Sequence, residues 1–222
     1  MMGLLWVKLC KVMEYKLSNQ PIKLVVMVSG SGSNLQALID AIEDKSLSAE
    51  IIHVISNRKN AYGLERAKKH GIPTTIVSLK PYTDDGRGRE QFDVDLANVI
   101  KSLSPDLVVL AGWMHILSET FLTTVGIDVI NLHPALPNMF AGVQAIERAY
   151  EAFQQGDITH SGCMIHHVIP EVDAGDVIVQ AEVPILPDDT LDAFATRMHQ
   201  AEHCIIVEAV KKIQEQKETT HE

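Results

Sequence analysis

Lys23–Ser29 (KLVVMVS) is a near-continuous apolar run that leads directly into a turn of glycines and serines. A strand that is apolar on both faces has no solvent face, so it must lie inside a sheet with helices on either side. Asn34–Ile42 follows with apolar residues at helical spacing, and the alternation then repeats. Ile51–Ser56 reads as a strand, Gly63–His70 as a helix and Thr74–Val77 as a strand. Glu90–Leu103 reads as a longer helix, and Leu107–Ala111 and Val129–His133 as two further buried strands. Strands alternating with helices predict parallel βαβ units and a doubly wound α/β sheet. The second half departs from that rhythm. Val143–Gln154 reads as helix, then Cys163–Val168 and Val177–Val183 as strands joined by a long loop, and Leu191–Gln216 as a closing helix. The paired strands predict an antiparallel C-terminal edge on a mostly parallel sheet. Lys80–Arg89 (KPYTDDGRGR) is the most loop-like insertion, and 217–222 reads as a polar tail.

The composition is that of a globular chain with enough apolar surface for a sizeable core, 46% hydrophobic and 22% charged. A net charge of −10 with no basic tract disfavours a nucleic-acid partner, which would need clustered Lys and Arg. Cys10, Cys163 and Cys204 stand far apart without a C-x-x-C pair, which fits a reducing, cytoplasmic setting. No apolar run is long enough to span a bilayer, so no membrane partner is expected. The apolar stretch Gly3–Val7 lacks a preceding basic residue and a following cleavage site, and 1–20 is expected to be an N-terminal extension.

Two polar features sit at predicted strand ends, where open α/β sheets bind ligands. The first is the turn Ser29-Gly30-Ser31-Gly32-Ser33-Asn34. A dinucleotide fingerprint would need glycine where Leu35 stands and an acid where Ser56-Asn57 stands; a triphosphate loop would need a following lysine. A monophosphate cradle at a helix N-terminus fits, and so does a tight βα turn without a ligand. The second feature is Asn131-Leu132-His133-Pro134. Period two puts Asn131 and His133 on one face at the strand end, and Pro134 stops the ladder. Asp173 lies in another polar island, Glu171–Asp176. Attack of an amine on a formyl carbon builds an oxyanion and an ammonium. An Asn amide and an imidazolium could hold the first, and a carboxylate could relay the proton from the second and keep the histidine charged. A strand-end histidine bonded to backbone and an ordinary turn aspartate explain the same residues without catalysis.

Taken in order, Ser29–Gln36 (SGSGSNLQ), Leu110–Leu117 (LAGWMHIL), Asn131–Pro137 (NLHPALP), Val172–Gly175 (VDAG) and Gln200–His203 (QAEH) resemble the phosphoribosylglycinamide formyltransferase family, folate-dependent enzymes of purine synthesis. The similarity runs from about Lys23 to Gln216. It implies a Rossmann-like formyltransferase domain over 21–216, its first half binding phosphate and its second half folate. It also implies formyl transfer from 10-formyltetrahydrofolate to the amine of glycinamide ribonucleotide, without a metal, by a monomer or homodimer. Residue by residue, Gly30, Ser31, Gly32, Ser33 and Asn34 would hold the ribonucleotide phosphate, and Glu202 would reach its glycinamide or ribose end. Arg89, Met114, His115, Ile116 and Leu117, with Asn131, would line the folate pocket. Asn131, His133 and Asp173 would be the catalytic group, and His166 falls where the family often has a histidine near the site. His115 stands where many members carry Arg, Ala141 where Pro is common, and Gln144 where His is frequent.

His199-Gln200-Ala201-Glu202-His203 also matches the zinc pattern H-x-x-E-H, but the segment belongs to the family similarity and no zinc is expected. A methionyl-tRNA formyltransferase is expected to carry an RNA-binding domain after this one, and a formyltetrahydrofolate hydrolase a regulatory domain before it. A phosphate-sensing module would keep the glycine turn but would have no use for Asn131, His133 and Asp173 together.

Overall fold

The structure, a computed structural model, describes residues 20–220. The expected N-terminal extension (Gln20 apart), with Cys10, lies outside the described residues, as do His221 and Glu222. Seven strands form one sheet: β1 (Ile22–Val28), β2 (Ala49–Ser56), β3 (Thr74–Ile76), β4 (Leu107–Leu110), β5 (Val129–His133), β6 (His160–His167) and β7 (Val177–Pro184). Their order is β3-β2-β1-β4-β5-β6-β7. The first five run parallel, while β6 is antiparallel to β5 and β7 to β6. The chain leaves the β1–β2–β3 side and returns beside β1 as β4, so β1 and β4 flank the point where the winding reverses. Their carboxyl ends open a crevice there.

Strand β1 shows why the sheet needs two helical layers. Leu24, Val26 and Val28 face one apolar cluster, and Val25 and Met27 face the other; all five are fully buried. The first cluster is covered by α1 (Ser33–Glu43), α2 (Tyr62–Lys69), α6 (Ala145–Gln155) and α7 (Leu191–Thr220). The second is covered by α4 (Gly88–Ser102) and α5 (Glu119–Val125). In α7, Phe194, Met198, Ala201, Ile205, Ala209 and Ile213 recur at helical spacing and make the stripe that rests on the sheet.

The sequence expectations differ from the structure at four places. Lys80–Asp84 of the loop-like insertion forms a short helix, α3. Its proline is compatible with a first turn, where no intrahelical donor is needed, and Lys80 bonds Asp84 one turn on at 2.9 Å. Helix α5 goes unread because seven residues show little periodicity, although its caps are present in the sequence. Ser118 accepts from the Phe121 N–H at 3.1 Å, and Gly126 ends the helix at φ 60°. Helix α6 begins at Ala145 because Gln144 is left-handed, at φ 57°. Helix α7 continues past Gln216 to Thr220.

Phe194 is fully buried at the start of α7 and stacks on Tyr150 of α6 with ring centroids 6.5 Å apart. Phe194→Ala should lower unfolding free energy by about 3–5 kcal/mol in a denaturant titration, the usual cost of an emptied aromatic site.

Candidate active site

A cavity of about 520 Å³ opens at the carboxyl ends of β1, β4 and β5. The loops around it are tied before any ligand is considered. Ser29, at the end of β1, donates its backbone N–H to the Gly112 carbonyl at 2.9 Å and accepts the Met114 N–H on its hydroxyl at 2.9 Å. The turn after β1 and the segment after β4 are thereby locked together across the crevice.

On one side, Gly32 enters α1 at φ 69°, in the left-handed region that favours glycine. A β-carbon on Gly32 would stand 2.6 Å from the Gly63 Cα, so this glycine is required by the close approach of α2 as well as by any ligand. Helix α1 has no side-chain cap and no acid in its first turn, so its first N–H groups and positive dipole end point at the cavity. Arg66 supports the turn, donating from Nε to the Ser31 carbonyl at 2.9 Å and from Nη1 to Gln36 Oε1 at 3.0 Å. Glu202 is buried on α7 and accepts from Asn34 Nδ2 at 3.0 Å, with His199 Nδ1 at 3.2 Å from the same oxygen. The hydrogen bond to Glu202 raises the His199 pKa against the opposing effect of burial.

On the other side, Met114 and Ile116 are more than half exposed at the cavity lip, with Val143, Ile169 and Val172 as further exposed apolar groups around it. Leu117 is buried beneath them, and His115 lines the wall, tilted against Trp113 and Phe92. Burial first, then Arg89 and Arg58, lower the His115 pKa, with Asp93 opposing. Arg89 Nε bonds the fully buried Asp93 at 2.8 Å and its Nη2 the carbonyl of Ile116, a residue of the cavity lip.

Between these walls the structure brings Asn131, His133 and Asp173 together and adds His166. Asp173 Oδ1 accepts from Asn131 Nδ2 at 3.2 Å, and Oδ2 accepts from the Gly142 N–H at 2.8 Å. His133 Nδ1 lies 3.3 Å from Oδ2, and His166 Nε2 lies 3.5 Å from Oδ1. Burial alone would raise the Asp173 pKa. The His166 and Gly142 hydrogen bonds, with the charges of His133 and His166, outweigh it and hold the carboxyl below its ordinary range. One sequence expectation is corrected. Asp173 does not keep His133 charged: burial outweighs its attraction and lowers the His133 pKa. Asn131 Nδ2 engages Asp173 Oδ1 with one of its two amide hydrogens at 3.2 Å. Among the described residues no group of three or more His, Cys, Asp and Glu side chains is placed to hold a metal ion.

The sequence model of the formyl transferase family matches residues 22–210. The chain belongs to the formyl transferase family. It is similar to a phosphoribosylglycinamide formyltransferase of Schizosaccharomyces pombe, 54% identical over 86% of this chain and 96% of the relative. One from Dictyostelium discoideum is 52% identical over 84% of this chain and 95% of its own length. Among solved structures, glycinamide ribonucleotide transformylase 1 from Symbiobacterium toebii superposes with a TM-score of 0.79 at 34% identity, covering 90% of each chain.

Sequence reading of this formyl transferase missed Arg58, Val143, Ile169, Val172 and His199 as cavity-lining residues. Arg58 follows β2 directly, so the rule that ligands gather at strand carboxyl ends could have found it. The apolar ones carry no such signal, since a loop valine looks the same in a wall or in solvent. Asp173 reaches the site because the loop after β6 folds back tightly, with Asp173 at φ 53°. Gly175 permits this: a β-carbon there would lie 1.8 Å from the His167 carbonyl oxygen. Gly175→Ala should therefore displace Asp173 and cut turnover about a hundredfold or more, the usual scale for a lost charge-stabilising group, while circular dichroism shows the sheet intact.

Proposed function

We infer that this chain transfers the formyl group of 10-formyltetrahydrofolate to the amine of glycinamide ribonucleotide, a step of purine synthesis. The observation that carries this reading is the meeting of Asp173, His133 and Asn131 in a cavity with an uncapped helix N-terminus on one side and an apolar lip on the other. A cavity of about 520 Å³ lies within the usual range for small-molecule sites. The backbone N–H groups of the Gly30–Asn34 turn suit a phosphate monoester. The apolar lip of Met114, Ile116, Val143, Ile169 and Val172 suits the flat rings of a folate. The family and the two relatives agree with this assignment.

The chemistry follows from the protonation the site imposes. Asp173 stays ionised and faces His133 Nδ1, so a neutral His133 carries its proton on Nδ1 and leaves Nε2 bare. The Met139 carbonyl stands at a long 3.4 Å from Nε2. The amine nitrogen attacks the formyl carbon, forming the new C–N bond as the carbonyl π pair moves onto oxygen. His133 Nε2 takes the proton released by the resulting ammonium. The imidazolium so formed is stabilised by Asp173 and donates to the oxyanion. It returns the proton to the folate nitrogen as the old C–N bond breaks and the carbonyl reforms. No covalent enzyme intermediate is needed.

The direct test is incubation with formyl-labelled 10-formyltetrahydrofolate and glycinamide ribonucleotide. Label should appear in the ribonucleotide; label appearing only as formate would instead mark a hydrolase. The pH profile tests the roles. Because His133 must be unprotonated in the free enzyme and its pKa is lowered, kcat/KM should rise with pH through a value below about 6.5 and then level. Asp173→Asn removes the charge that raises the His133 pKa, so this acid limb should move to lower pH. The plateau should fall about a hundredfold or more, while equilibrium binding of the ribonucleotide stays near that of the unaltered protein. A variant with normal turnover would remove Asp173 from the mechanism.

A further inference from the structure

The segment between β5 and α6 runs on unusual backbone. Asn138, Phe140, Gly142 and Gln144 alternate in the left-handed region, at φ 64°, 49°, 86° and 57°, and all but the glycine carry side chains that disfavour it. The segment meets the catalytic group at two atoms. The Met139 carbonyl stands 3.4 Å from His133 Nε2, and the Gly142 N–H donates to Asp173 Oδ2 at 2.8 Å. That oxygen is the one His133 Nδ1 faces at 3.3 Å. Arg148, in the first turn of α6, reaches back to the same segment. Its Nη2 donates to the Phe140 carbonyl and, at 2.7 Å, to the Ala141 carbonyl, and its guanidinium carbon lies 5.8 Å from the centre of the Phe140 ring. The Ala141 carbonyl and the Gly142 N–H are the two ends of one peptide unit. A trans peptide is planar and its two polar groups point in opposite directions, so fixing the oxygen fixes where the hydrogen points. One chain of contacts therefore runs from the Arg148 guanidinium through that peptide to the Asp173 carboxylate and on to the His133 ring. A cation on the carbonyl also polarises the peptide and strengthens its N–H as a donor.

We propose that Arg148 is a positioning residue that aims the Ala141–Gly142 peptide at Asp173 and so fixes the carboxylate oxygen that faces His133. Its hydrogen bonds go to the backbone of Phe140 and Ala141, and its effect on the reaction passes through Asp173. The left-handed residues explain why a clamp is needed. Without it, Phe140 is free to relax toward extended backbone, and the peptide that follows turns its N–H away from Asp173. This rests on the amine-formylating function inferred above, which the first of two readouts below does not require.

The test uses Arg148→Met, which keeps an unbranched stem and removes every donor. The first readout is the Gly142 amide resonance of the free protein, followed by NMR as the pH is lowered. In the unaltered protein it should shift at the pH where the Asp173 carboxyl carbon titrates, because the two share a hydrogen bond. In Arg148→Met that response should disappear. The Asp173 midpoint should rise, since the Gly142 hydrogen bond that opposes burial is lost. The second readout is kinetic. Arg148→Met should lower kcat about tenfold or more, the scale of one hydrogen bond to a charged group, with KM for the ribonucleotide little changed. In an Asp173→Asn background the same change should cost about threefold or less, because the two residues act as one unit. Arg148→Ala takes the place of the methionine variant if that protein does not fold, with the same expectations. An unchanged Gly142 response in the variant would overturn the proposal, and so would a Gly142 amide that ignores the Asp173 titration in the unaltered protein. Equal loss of kcat in both backgrounds would also overturn it, because an arginine that only supports the fold behaves in that way. Absence of any formyl transfer by the unaltered protein would instead sink the function, and the amide response would still decide what Arg148 holds.

Discussion

Everything at the cavity depends on one carboxylate being kept ionised in a place that disfavours charge. Asp173 is nearly buried, and its surroundings supply the compensation: a backbone N–H from Gly142, the Asn131 amide, and two histidines. These donors come from three segments, β5, the loop after it and β6, so the carboxylate also works as a structural joint. It ties the loop after β5 to the loop after β6, and it holds the floor of the site together. Removing its charge would leave donors without an acceptor as well as His133 without its counter-ion, and a half-satisfied buried network is worse than none.

That joint rests in turn on features of the fold that have no chemistry of their own. The antiparallel turn of β6 brings His166 opposite Asn131 in the ladder, and the bulge and Gly175 let the following loop pass over His166 and His167. On the other wall, Ser29 locks the β1 turn to the β4 segment, and Gly32 lets α2 press against the same turn. The cavity is therefore tied together on the side of the glycine–serine turn and supported on its apolar side, where Arg89 bonds the Ile116 carbonyl. Preorganisation of this kind is what lets fixed dipoles stabilise charge that appears only during reaction.

The sheet was legible in the sequence because strands buried on both faces write themselves as unbroken apolar runs, and the Asn131–His133 pair because period two is strict in a strand. That the glycine–serine turn opens on the cavity was legible for the same reason of position. What was not legible depends on contacts between distant segments. Nothing in the spacing of Asp173 shows that its loop doubles back at a left-handed residue. Nothing in the sequence position of Asn131 shows that its amide already engages Asp173, or that burial would outweigh Asp173 at His133. Arg89 illustrates the limit most simply: only the fold shows it paired with buried Asp93.

The measurement closest to the centre of this account is the titration of Asp173 in the free protein, followed through its carboxyl carbon by NMR. The ionised carboxylate should persist down to a pH below the ordinary aspartate value of about 3.9, held there by His166, Gly142 and His133. A midpoint above that value would mean that burial has won, that the carboxyl is readily protonated, and that neither the His133 tautomer nor the Asn131 orientation is set by its charge.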